Sequence, residues 1–410
     1  MIVRKIKPSE LRRTEEMFAV SFDYPYLNKL SSEELYKKYT DHPTSREEEY
    51  CLERYAAFED DDKTMMSCFI THPYQVQFDG QQELMYSIGG VSTLPQYRKR
   101  GGIRACFELA LPSLYEKGAV FSYLYPFSTS FYRKFGYELC CRAQAYSVDL
   151  KFIPHTEVSG RNYLVDRSTK ADAREDISKI YSHWQKKYNM MVEEIGYDHA
   201  FIETADPYKN QEFTFVYRSA EEEPLAYVTF KNDTDPAQRI IRCSRLVYKN
   251  AEGLFGILNL FRTYASDYRR VEFTLPMGFA LEQILPEWAE GAVKCKLESY
   301  GMVRVINVKK ALEDARYKGD GEAAIKVEDA FIKENNKTFH VKFKEGRCVD
   351  IYEDDSKGDV ELSISAFSAL LTGVWDSEYV TAFNGVKVER NLENIEKIFY
   401  KKPTHIMSYF

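Results

Sequence analysis

Val91-Ser92-Thr93-Leu94-Pro95-Gln96-Tyr97-Arg98-Lys99-Arg100-Gly101-Gly102-Ile103-Arg104 is the stretch on which the reading of this chain turns. A strand is predicted to end near Pro95. A basic turn with two glycines follows, and then an amphipathic helix. Ile103, Cys106, Phe107, Ala110, Leu111 and Leu114 recur at helical spacing and form one apolar stripe. Gly118 fits the position just past the helix end, and Pro112 is expected to kink the helix. A helix N-terminus presents unpaired N–H groups and a partial positive charge. Gly101 and Gly102 let a ligand approach the backbone, and Arg98, Lys99, Arg100 and Arg104 add cations. Such a turn suits a pyrophosphate. Taken alone, it equally suits a solvated basic corner. It is neither GxxxxGK[ST] nor GxGxxG.

Upstream, Ile2–Ile6 reads as a strand, followed by a helix from Pro8 or Ser9 through Phe22. Ser31 to Glu34 forms a capping box. Strands are expected at 54–59, 65–72, 74–78 and 84–94, with Asp79-Gly80 as a hairpin turn. Downstream come a strand at 119–124, a short helix at 130–135 and a long strand at 137–150. A second segment, 151–285, loosely repeats the order: a helix capped by Thr169, antiparallel strands, a helix near 252–267 and a strand at 270–275. A third, 286–410, differs. It holds strands at 302–307, 322–331, 338–344 and 347–353 and helices at 308–317, 365–372 and 391–400. The turn between its second and third strands is Glu334-Asn335-Asn336-Lys337, and the end, His405–Phe410, looks like a docked apolar strand.

Composition limits what the chain can be. At 410 residues, two or three domains are expected. Hydrophobic residues at 44% and charged ones at 29% exclude a disordered or collagenous chain. No apolar run is long enough to span a membrane, and MIVRKIKPSE lacks the apolar core of a signal peptide. The net charge of −7 argues against a nucleic-acid partner. Thirty-one Tyr and 26 Phe are enough to fill large cores and line a roomy pocket. The eight cysteines, Cys51, Cys68, Cys106, Cys140, Cys141, Cys243, Cys295 and Cys348, form no CxxC pair and no zinc spacing with histidine. They read as reduced, mostly buried thiols of a cytoplasmic protein that uses no metal.

The chain resembles the GNAT superfamily of acetyl-CoA-dependent N-acetyltransferases. Arg98-Lys99-Arg100-Gly101-Gly102-Ile103 occupies that superfamily's R/Q-x-x-G-x-G/A loop, with Ile103 where Gly or Ala is usual. Phe131-Tyr132-Arg133-Lys134-Phe135-Gly136-Tyr137 matches its later FYxKFGF/Y element. Length, the V-x-T-L-P-x-Y-R-x-R-G-x-x-R loop, a second similar segment and an aromatic last residue make it similar to the enhanced intracellular survival acetyltransferases, best known for aminoglycoside acetylation.

The resemblance implies an α+β fold of three domains. Residues 1–150 would be a catalytic GNAT domain, 151–285 a degenerate GNAT-like domain, and 286–410 a domain like a sterol carrier protein. Lys249-Asn250-Ala251-Glu252-Gly253 stands where a second loop would be and predicts no second acetyl-CoA site. The backbone amides of Val91 and Thr93 would contact acetyl-CoA beside Arg98, Lys99, Arg100, Gly101, Gly102 and Arg104. Tyr132 would be the general acid, and the terminal carboxylate of Phe410 the base. From the residues alone, Tyr132 reads as a packing residue and Phe410 as a plug in an apolar groove. His405 is a rival base, but strand alternation puts it opposite Phe410. His72, His183 and His199 read as ordinary histidines.

Asp23, Tyr24 and Tyr26 lie where the family's cationic acceptor pocket is lined, and a surface turn fits them as well. The partner would be a small-molecule or peptide amine such as an aminoglycoside or a polyamine, and the family implies a homo-oligomer, commonly a hexamer. The other reading is a non-catalytic lipid- or peptide-binding protein that uses its third domain.

Overall fold

The computed structural model describes residues 1–40, 53–194, 202, 206–233, 235, 237–284 and 291–408. Cys51, His199 and Phe410 lie outside the described residues. The described residues divide into two compact units, one within 1–140 and 301–402 and the other within 141–300 and 403–408.

In the first unit, β1 (Ile2–Lys5), β2 (Arg54–Phe58), β3 (Met65–Phe78) and β4 (Gln81–Thr93) form an antiparallel run. Helix α1 (Leu11–Ser21) and helix α2 (Ser32–Thr40) follow β1. The capping box is present: Ser31 N donates to Glu34 at 2.7 Å, and Glu34 N donates to Ser31 Oγ at 3.2 Å. Strand β3 is continuous through Pro73, which faces Tyr86 in the ladder, so the two strands expected at 65–72 and 74–78 are one. Asp79 and Gly80, both with positive φ, make the hairpin turn. Helix α3 (Gly102–Glu116) runs past Pro112 as one element and buries Ile103, Cys106, Phe107, Ala110, Leu111 and Leu114. It leads to β5 (Phe121–Leu124), which pairs parallel to β4, and then to α4 (Thr129–Arg133) and β6 (Glu138–Asp149).

The second unit repeats that plan. It contains β7 (Arg161–Leu164), α5 (Lys170–Lys187), β8 (Glu212–Arg218), β9 (Pro224–Asn232), β10 (Ile240–Tyr248), α6 (Ala251–Thr263) and β11 (Arg270–Pro276). As with β4-α3-β5, the β10-α6-β11 passage joins two parallel strands across a helix. Thr169 stands at the N-cap of α5 but makes no capping bond. Its hydroxyl donates to Leu164 O at 2.8 Å instead. Pro403–Ser408 is not a strand beyond a bridge between Asn189 and Thr404, so the expected alternation of faces does not apply there. His405 is buried against Trp184 and Tyr188, ring centroids 5.5 and 5.9 Å away.

The rest of the first unit begins with the end of β12 (Val293–Val305), whose Met302–Val305 pairs with β5, and α7 (Val308–Asp314). A five-stranded sheet follows, built from β13 (Gly321–Glu328), β14 (Thr338–Lys344), β15 (Arg347–Asp354), β16 (Val360–Ser363) and β17 (Val386–Val388) in the order β15-β14-β13-β16-β17. Helices α8 (Ile364–Thr372) and α9 (Leu392–Ile398) cover it. Strands β7, β16 and β17, three or four residues each, are too short for a readable alternation. The turn before β14 is a single 3-10 turn, Lys333–Asn335, not a tight hairpin. Asn335 is buried there, holding Val308 N and Ile306 O with its amide.

The β3–β4 hairpin is locked to this last part of the unit. The Asp79 carboxylate accepts from Arg316 N at 2.7 Å and pairs with the buried Lys402 ammonium, while Arg316 and Arg347 hold its carbonyl. Close by, Glu83 is pushed up to about 7 by burial and next by a hydrogen bond with the Asp314 carboxyl. An unfolded Glu titrates at about 4.3, so the folded chain holds this proton more tightly. The stability it adds is full below the unfolded value and is lost as pH rises through about 7. The melting temperature of Glu83→Gln, followed from pH 5 to pH 8, should therefore fall less steeply than the parent's. Parallel curves would remove Glu83 as the source.

Candidate active site

The site begins with a fault in the β3–β4 ladder. Cys68 pairs with Ser92 and Ile70 with Gly89, so Gly90 and Val91 together face Phe69. This is a β-bulge with glycine in the left-handed region, φ +60°. It puts one residue of β4 out of the ladder and re-aims Val91. Glycine is required here twice over, since a Cβ would lie 2.7 Å from the Phe18 ring. β5 ends at Leu124, opposite Ile88, while β4 continues to Thr93. Beyond Ile88 the edge of β4 is therefore open, and a groove of about 840 Å³ lies there.

One wall is the start of α3. Gly101 is its N-cap at φ +83°, and no side chain caps the helix. Because Ala105 N is the first amide to bond back, to Gly101 O, the amides of the first turn are left unpaired by the helix itself. A Cβ on Gly102 would meet Ser67 Oγ at 2.5 Å, so the second glycine lets the helix press onto β3. Arg98, Lys99, Gly101, Gly102 and Arg104 line the groove, as do Val91 and Thr93. Arg104 is held by Glu108 at 2.9 Å and lies 5.5 Å from the Phe331 ring centroid. Arg100 is the exception: its guanidinium grips Glu59 at 2.7 and 3.1 Å and is not part of the wall. Ile103, at the position where the resemblance expects Gly or Ala, both lines the groove and packs in the core under α3.

Another part of the lining is aromatic. Phe127, Phe131 and Phe135 line it with Lys134, and Phe22 and Ser21 close one side. The FYRKFGY stretch carried a signal for three of these; nothing in the sequence marked Ser21, Phe22 or Phe127. Tyr132 is buried, with its ring 5.3 Å from Phe127 and 5.2 Å from Phe131, both wall residues. Burial, then the neighbouring Tyr137, raises its hydroxyl above the usual tyrosine range, so it stays protonated at neutral pH. Asp23 and Tyr24 directly follow the wall residue Phe22 but are not part of the wall. Both are exposed, and Asp23 has φ +56°.

Elsewhere, burial lowers His405 to about 4 and His72 to about 3, keeping both neutral. The N-terminus of α6 contrasts with that of α3. Asn250 Oδ1 caps Gly253 N at 3.0 Å, and a Cβ at Gly253 would lie 2.5 Å from Leu225 O. Glu252 is engaged by Ser159 and Tyr217, and Lys249 by Glu223. The chain's own groups thus take up that helix start. Among the described residues, no cluster of three His, Cys, Asp or Glu is placed to hold a metal, and no helix is long and apolar enough to cross a membrane.

If the bulge shapes the groove as described, Gly90→Val should cost about 2–3 kcal/mol of stability, from left-handed strain plus overpacking against Phe18. Denaturant unfolding measures it, and a cost below about 0.5 kcal/mol, the range of an ordinary surface change, would contradict the geometry.

Comparison with known proteins agrees with this layout. Residues 2–140 match the acetyltransferase (GNAT) domain family and residues 308–408 the sterol carrier protein domain family. No curated protein matches by sequence. Among solved structures, a probable N-acyltransferase from Enterococcus faecalis superposes with TM-score 0.81 at 19% identity, covering 100% of this chain and 99% of its own. A GCN5-related N-acetyltransferase from Anabaena variabilis gives 0.81 at 18%, covering 100% of both chains. Eis1 from Mycobacterium abscessus gives 0.78 at 16%, again covering 100% of both. The chain is therefore an enzyme built on a GNAT acetyltransferase domain, followed by a sterol carrier protein-like C-terminal domain, in the full-length fold that Eis1 shares.

Proposed function

We propose that this enzyme transfers an acetyl group from acetyl-CoA to a primary amine on a small cationic acceptor, of the aminoglycoside or polyamine class. The observation that carries this reading is the uncapped, glycine-led start of α3 lining a groove beside a bulge in β4. The residues fit the co-substrate. A Cβ at Gly101 would meet nothing within 4 Å, so the space over the first-turn amides is open. Arg98 and Lys99 make no ion pair among the described residues and are available to an anion.

Acetyl-CoA supplies an activated thioester. The α3 amides with Arg98, Lys99 and Arg104 hold the diphosphate. The Val91 amide, re-aimed by the bulge, and the Thr93 amide at the end of β4 stand where negative charge develops on the carbonyl oxygen. Tyr132, kept protonated by burial, donates its hydroxyl proton toward the departing sulfur. The Phe410 carboxylate takes a proton from the attacking amine. Carboxylates are weak bases, with reference pKa about 3.5, so it acts through desolvation or a water. Asp23 and Tyr24, at the rim beyond Phe22, attract and orient the cationic acceptor. We place the enzyme in the cytoplasm as a homo-oligomer, a hexamer by its resemblance. We assign catalysis to residues 1–150, a non-catalytic repeat to 151–285 and the carrier-like part to 286–410.

Arg98→Ala combined with Gly101→Asp should abolish coenzyme A binding in calorimetry, because a carboxylate then sits among the amides that hold phosphate. Undiminished binding would move the site off this turn. Deleting Phe410 should leave coenzyme A affinity intact while turnover, read as thiol release with kanamycin or spermine, falls at least about tenfold; full turnover would remove the terminal carboxylate as base.

A further inference from the structure

We propose that the carrier-like domain holds the catalytic turn of the acetyltransferase domain in place. The positioning residues are Arg304, Asp329 and Phe331. The proposal rests on the reading of Tyr132 given above.

Tyr132 lies in α4, and the chain reverses directly after it. Phe135 N and Tyr137 N both donate to Tyr132 O, at 2.9 and 3.4 Å, and Gly136 takes φ +82° to close the turn. The Arg304 guanidinium lies directly against that turn: a Cβ on Gly136 would clash with Arg304 Nη1. Arg304 is wholly buried and pairs in the interior with Asp329, its Nη2 donating to both carboxylate oxygens at 2.7 and 2.8 Å. The same carboxylate accepts from Phe331 N, Ile332 N and the Asn335 amide at 2.9 to 3.2 Å, which fixes the loop that carries Phe331. The Phe331 ring packs on Phe135 at 5.9 Å, while Phe107 stacks on the same phenylalanine at 4.2 Å. The turn below Tyr132 is therefore clamped from α3 by Phe107 and from the carrier-like domain by Phe331 and Arg304.

Stability alone is a poor reason for this arrangement. A buried ion pair is often no better than apolar residues of the same volume. Here Arg304 Nε and Nη1 also lack a hydrogen-bond partner among the described residues, which adds cost. What the pair supplies instead is a charge-assisted bond, one guanidinium nitrogen shared by both carboxylate oxygens, that fixes the guanidinium against the backbone of the turn.

The test compares the parent with Phe331→Leu, Arg304→Met, Tyr132→Phe and the double variant Tyr132→Phe/Phe331→Leu. It reads thiol release from acetyl-CoA with kanamycin and with spermine, coenzyme A affinity, and amide hydrogen exchange across residues 129–137. Phe331→Leu removes the ring contact without stranding a buried charge, so it keeps the test open if Arg304→Met does not fold. Because Arg104 lies over the same ring, coenzyme A affinity is measured separately from kcat.

Phe331→Leu should lower kcat about tenfold, less than the ~100-fold that a full 1 Å misplacement can cost. Coenzyme A affinity should stay within about threefold, and exchange at 129–137 should quicken. In the Tyr132→Phe background the same change should cost less than about twofold, since residues acting through one group are not additive. An unchanged kcat in Phe331→Leu, or losses that multiply in the double variant, overturns the proposal. If Tyr132→Phe keeps full activity, the acid reading fails instead. In that case, or if neither amine is turned over, exchange at 129–137 decides: unchanged protection in both Phe331→Leu and Arg304→Met sinks the clamp.

Discussion

A helix that starts on two glycines and that no side chain caps among the described residues leaves its first amide hydrogens bare, and the groove of the GNAT domain is arranged around that fact. Gly102 lets the helix press onto Ser67 of the sheet, and Gly101 adopts the left-handed turn with open space beside it. Had a serine or asparagine capped this end, the same amides would be spent internally. The α6 start shows that outcome, with Asn250 filling the role and Gly253 packed on Leu225. The two units share a β-α-β passage, and a capping side chain present at the α6 start and absent at the α3 start separates them chemically.

The strand beside that helix contributes the second constraint. A regular ladder would consume every amide of β4. The bulge at Gly90 and the early end of β5 release part of it and open the groove at the same place. The groove then combines helix amides and cations with the aromatic rings of Phe127, Phe131 and Phe135 in its lining. An extended, partly apolar ligand with an anionic middle suits that combination.

Long-range ties hold these pieces. The hairpin carrying β4 is locked at Asp79 by Arg316 and Lys402, residues some 240 to 320 positions away in the chain. The turn under Tyr132 is clamped by Arg304 and Phe331. Both ties come from the part that matches a sterol carrier domain over 308–408 or from the strand leading into it. Domains of that fold are known as carriers, but fold does not dictate function; in this chain its residues make contacts with the β3–β4 hairpin and the turn after Tyr132.

Local chemistry explains what the sequence could tell by itself. The stripe under α3, the capping box at Ser31, the Asp79-Gly80 turn and the RKRGG corner are each decided within a few residues, so periodicity and turn propensity show them. The two quoted stretches together carried the family resemblance. Tertiary structure alone decided that Arg100 turns away to Glu59, that Phe22 and Phe127 join the wall, that Tyr132 is buried and that Asp79 meets Lys402. A side chain's partner across hundreds of residues leaves no mark in its own neighbourhood, because the contact exists only once the intervening chain has folded and paid its ordering entropy.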